Sequence, residues 1–362
     1  MKTGISILTA IHGLIHLMGF AKAFGMYEFN EITQPISKPL GIVWLMAGSL
    51  LIATVLAWNL KWDLWWVLAW IGIILSQAMI IYFWKDARFG TLFNAIILTA
   101  SLAGFQAWGL QKQYHADVQE GLQRNQNRGS DLLTLQDIEH LPSLVQDYLK
   151  YTQVLNKPIP YNVKITFDAQ MRGKAQDWFG MQTEQYNFFD ASERFFFLEA
   201  KVKGLPAKGY HRYKENISSM NIKLFSAIPI VKKSGKEMFE AETVTLFNDM
   251  CFLAPGSLID KRIEWEEIDQ ERVKAHFTNQ GVTISAILYF NEKGQLVNFI
   301  SDNRWDINEM KQVRFSTPLS QYKEINGFML PSYGEAIWHY PEGDFTYGKF
   351  QVKSVEYNVE SL

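Results

Sequence analysis

Hydrophobic positions are distributed along this chain in two different ways. Four long apolar runs come first, at roughly Ile5–Phe24, Gly41–Trp58, Leu64–Trp84 and Gly90–Leu110. The last three contain no charged residue. About 20 helical residues at 1.5 Å each cross a hydrocarbon layer ~30 Å thick. A buried helix of a water-soluble protein usually keeps a polar face, and these three runs lack one. The pattern predicts four transmembrane helices. Trp58, Trp62, Trp65 and Trp66 bracket the turn between the second and third runs, and Trp84 and Trp108 close the third and fourth. Tryptophan collects at the headgroup level, where its ring is sheltered and its N–H meets water. The first run is expected to be retained rather than cleaved, because His12, His16 and Lys22 interrupt it and no small-x-small site precedes a mature start.

After residue 110 the pattern changes. Residues 111–133 are polar and predict a connector, extending the fourth run as an exposed helix and breaking at Gly129-Ser130. Over Thr134–Tyr151, Leu135, Ile138, Leu141, Leu144, Val145 and Leu149 recur at helical spacing, with Asp131 or Thr134 available as a cap. Pro158 and Pro160 then punctuate a switch to period two, in which Val163, Ile165, Phe167, Ala169 and Met171 alternate with polar residues. Strands are expected near 177–189, 193–203, 207–218 and 220–228, then a helix over Glu237–Phe252. More strands follow near 263–268, 271–278, 282–290, 295–303, 311–325, 328–340 and 346–358. Asn291–Gly294 and Pro341–Asp344 carry hairpin chemistry. The fold class expected is therefore a membrane α-helical bundle, residues 1–110, joined to an α+β soluble domain, residues 134–362. That domain is a curved antiparallel sheet or open β-barrel of about 10–12 strands with a helix on its concave face.

Charge adds little. The chain has 35 basic and 37 acidic residues, and the acidic excess lies after residue 110. Scattered charge of this kind excludes nucleic acid as a partner. The single cysteine, Cys251, excludes an internal disulfide and a thiolate metal site. Lys38, Lys85 and Arg88, in the loops after the first and third runs, favour those loops in the cytoplasm and the soluble domain outside it. The localisation expected is a bacterial inner membrane. Nothing in the sequence fixes an oligomeric state.

Candidate chemistry is sparse. No metalloprotease, P-loop, dinucleotide or nucleophile-elbow motif is present, so no cofactor, metal or catalytic set is assigned. Glu242 and Asp249 lie seven apart on the expected inner helix. They read either as an acid pair at the mouth of a hollow, with acid/base potential, or as a solvated helix face. Phe167, Phe195 and Phe197 are candidates to line such a hollow around a hydrophobic ligand. His12 and His16 share one helix face, and Gln77 with Ser76 and Asn94 adds polarity to other spans. They read either as a metal, haem or proton site or as hydrogen bonding between helices.

The stretches HLMGFAKAFGM (16–26), TQPISKPLG (33–41), FWKDARFGTLFN (83–94), LPSLVQDYLKY (141–151), ETVTLFNDMCFLAPGSL (242–258) and LPSYGEAIWHYPEGDFTYGKFQV (330–352) resemble a family of uncharacterised bacterial four-span membrane proteins. The β-rich part is similar in layout to the LolA/LolB-like lipoprotein-carrier fold, and the four-span part resembles DoxX-like bundles in size and span count. The expectation is a membrane-anchored protein binding a lipid, acyl chain or lipidated peptide. The alternatives are an enzyme acting on a membrane-derived substrate, with Glu242 or Asp249 as base, and a membrane sensor or assembly factor built on His12 and His16.

Overall fold

The computed structural model describes residues 2–126, 128, 129 and 131–362. Ser130, part of the expected break, lies outside the described residues. The chain divides into two compact units, Met1–Lys112 and Gln113–Leu362.

Helices α1 (Lys2–Ala23), α2 (Lys38–Asn59) and α3 (Trp65–Tyr82), a single turn α4 (Trp84–Ala87) and α5 (Gly90–Arg124) follow one another. α1, α2, α3 and α5 are each long and apolar enough to cross a membrane. Their burial is the reverse of a helix in water. α1 buries Ser6, Thr9, His12, Gly13, His16 and Gly19, while Ile7, Ile11, Leu14 and Ile15 are exposed. Small residues let helices approach closely where the surroundings are as apolar as the side chains. A Cβ on Gly48 would lie 2.7 Å from the Gly13 carbonyl oxygen, so here the α1 and α2 backbones touch. The third span was expected to reach Trp84; it stops at Tyr82, and Phe83 leaves the helix at φ −105°, ψ 40°. The carboxylate of Asp86 accepts the N–H groups of Thr33 and Gln34 at 2.7 and 2.9 Å, tying the first loop to α4.

In the second unit, the helix expected over Thr134–Tyr151 is two pieces, α6 (Leu135–Ile138) and α7 (Ser143–Tyr151). Pro142 causes the break by steering Leu141 away from the helical region. Thr134 caps α6 as expected, its N–H and hydroxyl both meeting the Asp137 carboxylate. Then come β1 (Asn162–Met171), β2 (Phe179–Phe188), β3 (Glu193–Val202), β4 (Leu205–Lys214), β5 (Ile217–Leu224), β6 (Ile228–Ser234) and α8 (Lys236–Leu253). After them run β7 (Ile263–Glu267), β8 (Arg272–Asn279), β9 (Val282–Phe290), β10 (Leu296–Ser301), β11 (Trp305–Asp306), β12 (Lys311–Gln312), β13 (Arg314–Ile325), β14 (Phe328–Tyr340) and β15 (Gly343–Tyr357).

Thirteen of these strands form one sheet in the order β6-β5-β4-β3-β2-β1-β15-β14-β13-β10-β9-β8-β7, a little more than the 10–12 expected. The strand missed is β6, an edge strand that carries Pro229. Every pairing is antiparallel, and β1 with β15 joins the two meanders. The sheet is unclosed. Its edges are guarded by Pro229, Lys232 and Lys233 on β6 and by Glu264, Glu266 and Glu267 on β7, all poor templates for a further strand.

α8 links the two edge strands. It contacts β5 and β6 on one side and β9, β10 and β14 on the other, so the sheet curls around it. Almost all of α8 is buried. The last turns of α5 cover the opposite face of the sheet. The Tyr114 ring lies 5.1 Å from that of Phe197 and 5.5 Å from that of Tyr210. Arg212 donates twice to Asp117 at 2.9 and 3.0 Å, and Arg124 meets Glu193 at 2.6 Å. A Cβ on Gly121 would sit 2.5 Å from the Phe188 ring, so only glycine lets the helix lie this close. Residues 111–133, read from the sequence as a polar connector, are thus helical to Arg124, and Tyr114, Val118 and Leu122 are buried.

Candidate functional site

α8 is not a solvated helix. Glu242 and Asp249 point from it to Arg194 on β3, and all three are buried. Arg194 donates through Nε to Asp249 at 2.9 Å, through Nη1 to Glu242 at 2.9 Å and through Nη2 to Gln185 at 2.8 Å. The Gln185 amide donates to Asp249 at 2.7 Å and that of Asn187 at 3.1 Å. Burial pushes the Asp249 carboxyl up, against the pull of Arg194 and the two amides. Arginine has donors only and cannot accept a proton. The arrangement is a charge lock between helix and sheet, and its partner to the two acids is not a proton relay.

Beside this lock the inner face is less tightly closed. Under α8, Val163 and Ile165 are 0% exposed, as are Val244 and Phe247 of the helix. Further along the same wall, Phe167, Met181, Phe196, Leu198, Ala200 and Trp338 each keep 4–8%. Phe167, Thr183 and Leu198 are direct cross-strand neighbours, as are Ala169, Met181 and Ala200, so each row shares one face. These side chains are buried but keep slightly more solvent contact than those under α8.

Three polar groups border this wall without full partners. Arg304, just past β10, has its guanidinium 4.3 Å from the Phe315 ring centre and 4.8 Å from that of Trp338. It donates to the Tyr347 hydroxyl at 2.8 Å and approaches Thr245 of α8 at 3.4 Å, but meets no carboxylate among the described residues. The His211 ring lies 5.4 Å from that of Phe196, tilted against it, and its Nε2 is buried without a hydrogen-bond partner. Burial, then the charges of Arg194 and Arg304, lowers its pKa to about 3, so the ring is neutral. Thr183 Oγ1 is likewise buried without a partner. Buried polar groups are normally satisfied, and each exception needs a reason.

In the first unit, His12 Nε2 lies 3.0 Å from Asn94 Oδ1 and 3.2 Å from Ser76 Oγ. The Asn94 amide donates to Gln77 at 3.0 Å, and Gln77 donates to Thr91 at 3.2 Å. The chain of bonds ties α1, α3 and α5 together. His16 donates through Nδ1 to the His12 carbonyl at 2.9 Å, and its Nε2 is buried without a partner.

Of the candidates from the sequence, Glu242, Asp249 and Phe167 thus lie on the inner face, and His12 and Gln77 join one network. Phe195 and Phe197 lie on the outer face, where Phe197 meets Tyr114 of α5 and Phe195 meets Phe188. Sequence reasoning missed Arg194, His211 and Arg304. The first had a signal: two acids on a helix buried all round demand a cation. The other two sit in ordinary strand and loop sequence. Among the described residues no group of three or more His, Cys, Asp or Glu is placed to hold a metal ion.

Residues 131–350 match a family described as a family of unknown function, DUF6544, and the chain belongs to that family. No curated protein matches the chain. Among solved structures, a LolA superfamily protein from Nitrosomonas europaea is similar at 11% identity and a TM-score of 0.33, over 59% of this chain and 93% of that one.

Proposed function

We propose that this is a bilayer-anchored binding protein whose second unit holds an amphipathic anion, an acyl-type body with a carboxylate or phosphate head. The observation that carries the reading is Arg304, a guanidinium set in an aromatic wall with no carboxylate partner among the described residues. It borders an apolar face whose side chains Phe167, Met181, Phe196, Leu198, Ala200 and Trp338 keep 4–8% exposure. Arg304 is half-buried, and an anionic head would give its guanidinium charge-assisted hydrogen bonds. The neutral His211 and the Thr183 hydroxyl offer further polar contacts on the same face. Anchoring is supported by the four apolar helices with their polar, small-residue interior. The basic residues Lys38, Lys85 and Arg88 support a second unit outside the cytoplasm of a bacterial inner membrane.

The test is photocrosslinking of the full chain in lipid nanodiscs with a diazirine fatty acid, followed by peptide mapping. The expected adducts fall in β1–β3 and β13–β15. Arg304→Gln removes a charge-assisted contact of ~1.5–3 kcal/mol and lowers labelling there roughly tenfold or more. Adducts confined to α1–α5, or equal labelling in Arg304→Gln, would overturn the reading.

A further inference from the structure

One corner of the sheet combines exposed apolar residues with lysine. At the β3–β4 turn Leu205 is 41% exposed, and after the β5–β6 turn Ile228 is 57% and Ile230 47% exposed. The two turns are neighbours: the Phe225 N–H donates to the Pro206 carbonyl at 2.8 Å, and Ala207 pairs with Leu224, which pairs with Ile228. Lys201, Lys203 and Lys232 are exposed around them. Residues 199–236 hold nine Lys or Arg against two Glu, in a chain whose net charge is −2. Exposed isoleucine and leucine ringed by lysine fit neither a sheet surface meant for water nor a protein core. The apolar tips match an acyl boundary and the lysines an anionic headgroup layer.

The chain enters this unit along β3. Tyr114, near its first residue, lies on Phe197 of β3, and Arg124, ten residues on, reaches Glu193 of the same strand. The helix therefore enters at the end of β3 that leads on to Lys201 and Lys203. The residues before Gln113 belong to the apolar helices.

We infer that this corner docks on an anionic bilayer surface, with Leu205, Ile228 and Ile230 entering the acyl boundary and Lys201, Lys203 and Lys232 meeting lipid phosphates. The inference stands independently of the ligand reading above.

The test uses the full chain reconstituted in vesicles of phosphatidylcholine, with or without phosphatidylglycerol. A dye is placed by Ala227→Cys at the β5–β6 turn or, as control, by Lys293→Cys in the β9–β10 turn at the opposite end of the strands. The native Cys251 is buried and stays unlabelled. Quenching is read from spin-labelled lipid and from aqueous iodide. The expected result is lipid quenching at 227 but not at 293, stronger with the anionic lipid, and reduced to less than half by Lys201→Glu/Lys203→Glu/Lys232→Glu. A dye at 227 open to iodide and untouched by lipid would overturn the inference. So would lipid quenching indifferent to lipid charge and to the lysine variant, which would mark passive proximity. A dye shielded from both quenchers would assign the corner to a protein partner instead.

Discussion

Replacing Arg194 by Met tests whether α8 is held to the sheet by charge. The substitution keeps an unbranched stem that reaches about as far as Nε and removes three donated bonds, two of them to carboxylates. Glu242 and Asp249 are then buried acids without a counter-ion. Breaking a buried pair from one side costs about 3–5 kcal/mol. For a unit of this size each kcal/mol lowers the midpoint by about 2–4 °C, so the expected fall is roughly 6–20 °C. The assay is built into the chain. Its only cysteine, Cys251, is fully buried on α8, so a fluorogenic thiol dye reports the melting of this unit in the full-length protein. The sign of the pH dependence follows from the acids. Burial already raises the Asp249 pKa above its ordinary 3.8, and loss of Arg194 raises it further. An acid whose folded-state pKa lies above its unfolded value binds its proton more tightly when folded, so stability falls as pH rises through that window and returns as pH falls. The deficit of Arg194→Met is therefore larger at about pH 8 than at about pH 5. A variant melting within about 2 °C of the parent at both pH values, a shift of ~1 kcal/mol or less, would refute the charge lock.

Gly121→Leu forces a side chain into the Phe188 ring, which a Cβ alone already meets at 2.5 Å. Overpacking of this kind costs about 1–3 kcal/mol, and the same thiol assay should show a lower midpoint, whereas Gly129→Leu, with nothing within 4 Å of its Cβ, should not move it. Asn94→Ala removes the acceptor of His12 and Ser76 and the donor to Gln77. Hydrogen bonds between membrane helices are worth about 0.6 kcal/mol on average and up to ~1.7, so a loss near 1–2 kcal/mol is expected in unfolding of the first unit by SDS, followed by tryptophan fluorescence.

Much of the fold is legible in the sequence because burial here follows simple periods. The four apolar runs became four long helices, and the alternation from Val163 to Met171 became β1 with Val163, Ile165, Phe167 and Ala169 buried. Local chemistry misled at two prolines. Pro142 splits a stretch whose leucines keep helical spacing throughout, and Pro229 hides an edge strand that tolerates it because one side needs no partner. Which face a residue takes was less legible. Phe195, Phe196 and Phe197 are all buried, since the sheet carries a helix on each side, so alternation vanishes from β3 and its rings look alike in sequence. The charge lock was half visible: the spacing of Glu242 and Asp249 placed them on one face, but their partner lies on a strand 48 and 55 residues earlier. Contacts of that separation leave no local signature.

That same absence of a polar face on α8 gives the lock its physical purpose. An amphipathic helix such as α7 is oriented by its one apolar stripe, but α8 is buried nearly all round, and apolar packing alone chooses its rotation weakly. Three polar ties choose it instead. Glu242 and Asp249 reach Arg194 on β3, Asn248 donates to Thr317 on β13 at 2.9 Å, and Thr243 meets the Tyr213 hydroxyl on β4 at 2.9 Å. A buried ion pair adds little net stability over a well-packed apolar replacement, yet a wrong rotation would leave both acids unpaired. The lock therefore acts through specificity. It turns Thr245 toward Arg304, and with that rotation fixed, the Arg304 guanidinium stays against the rings of Phe315, Trp338 and Tyr347.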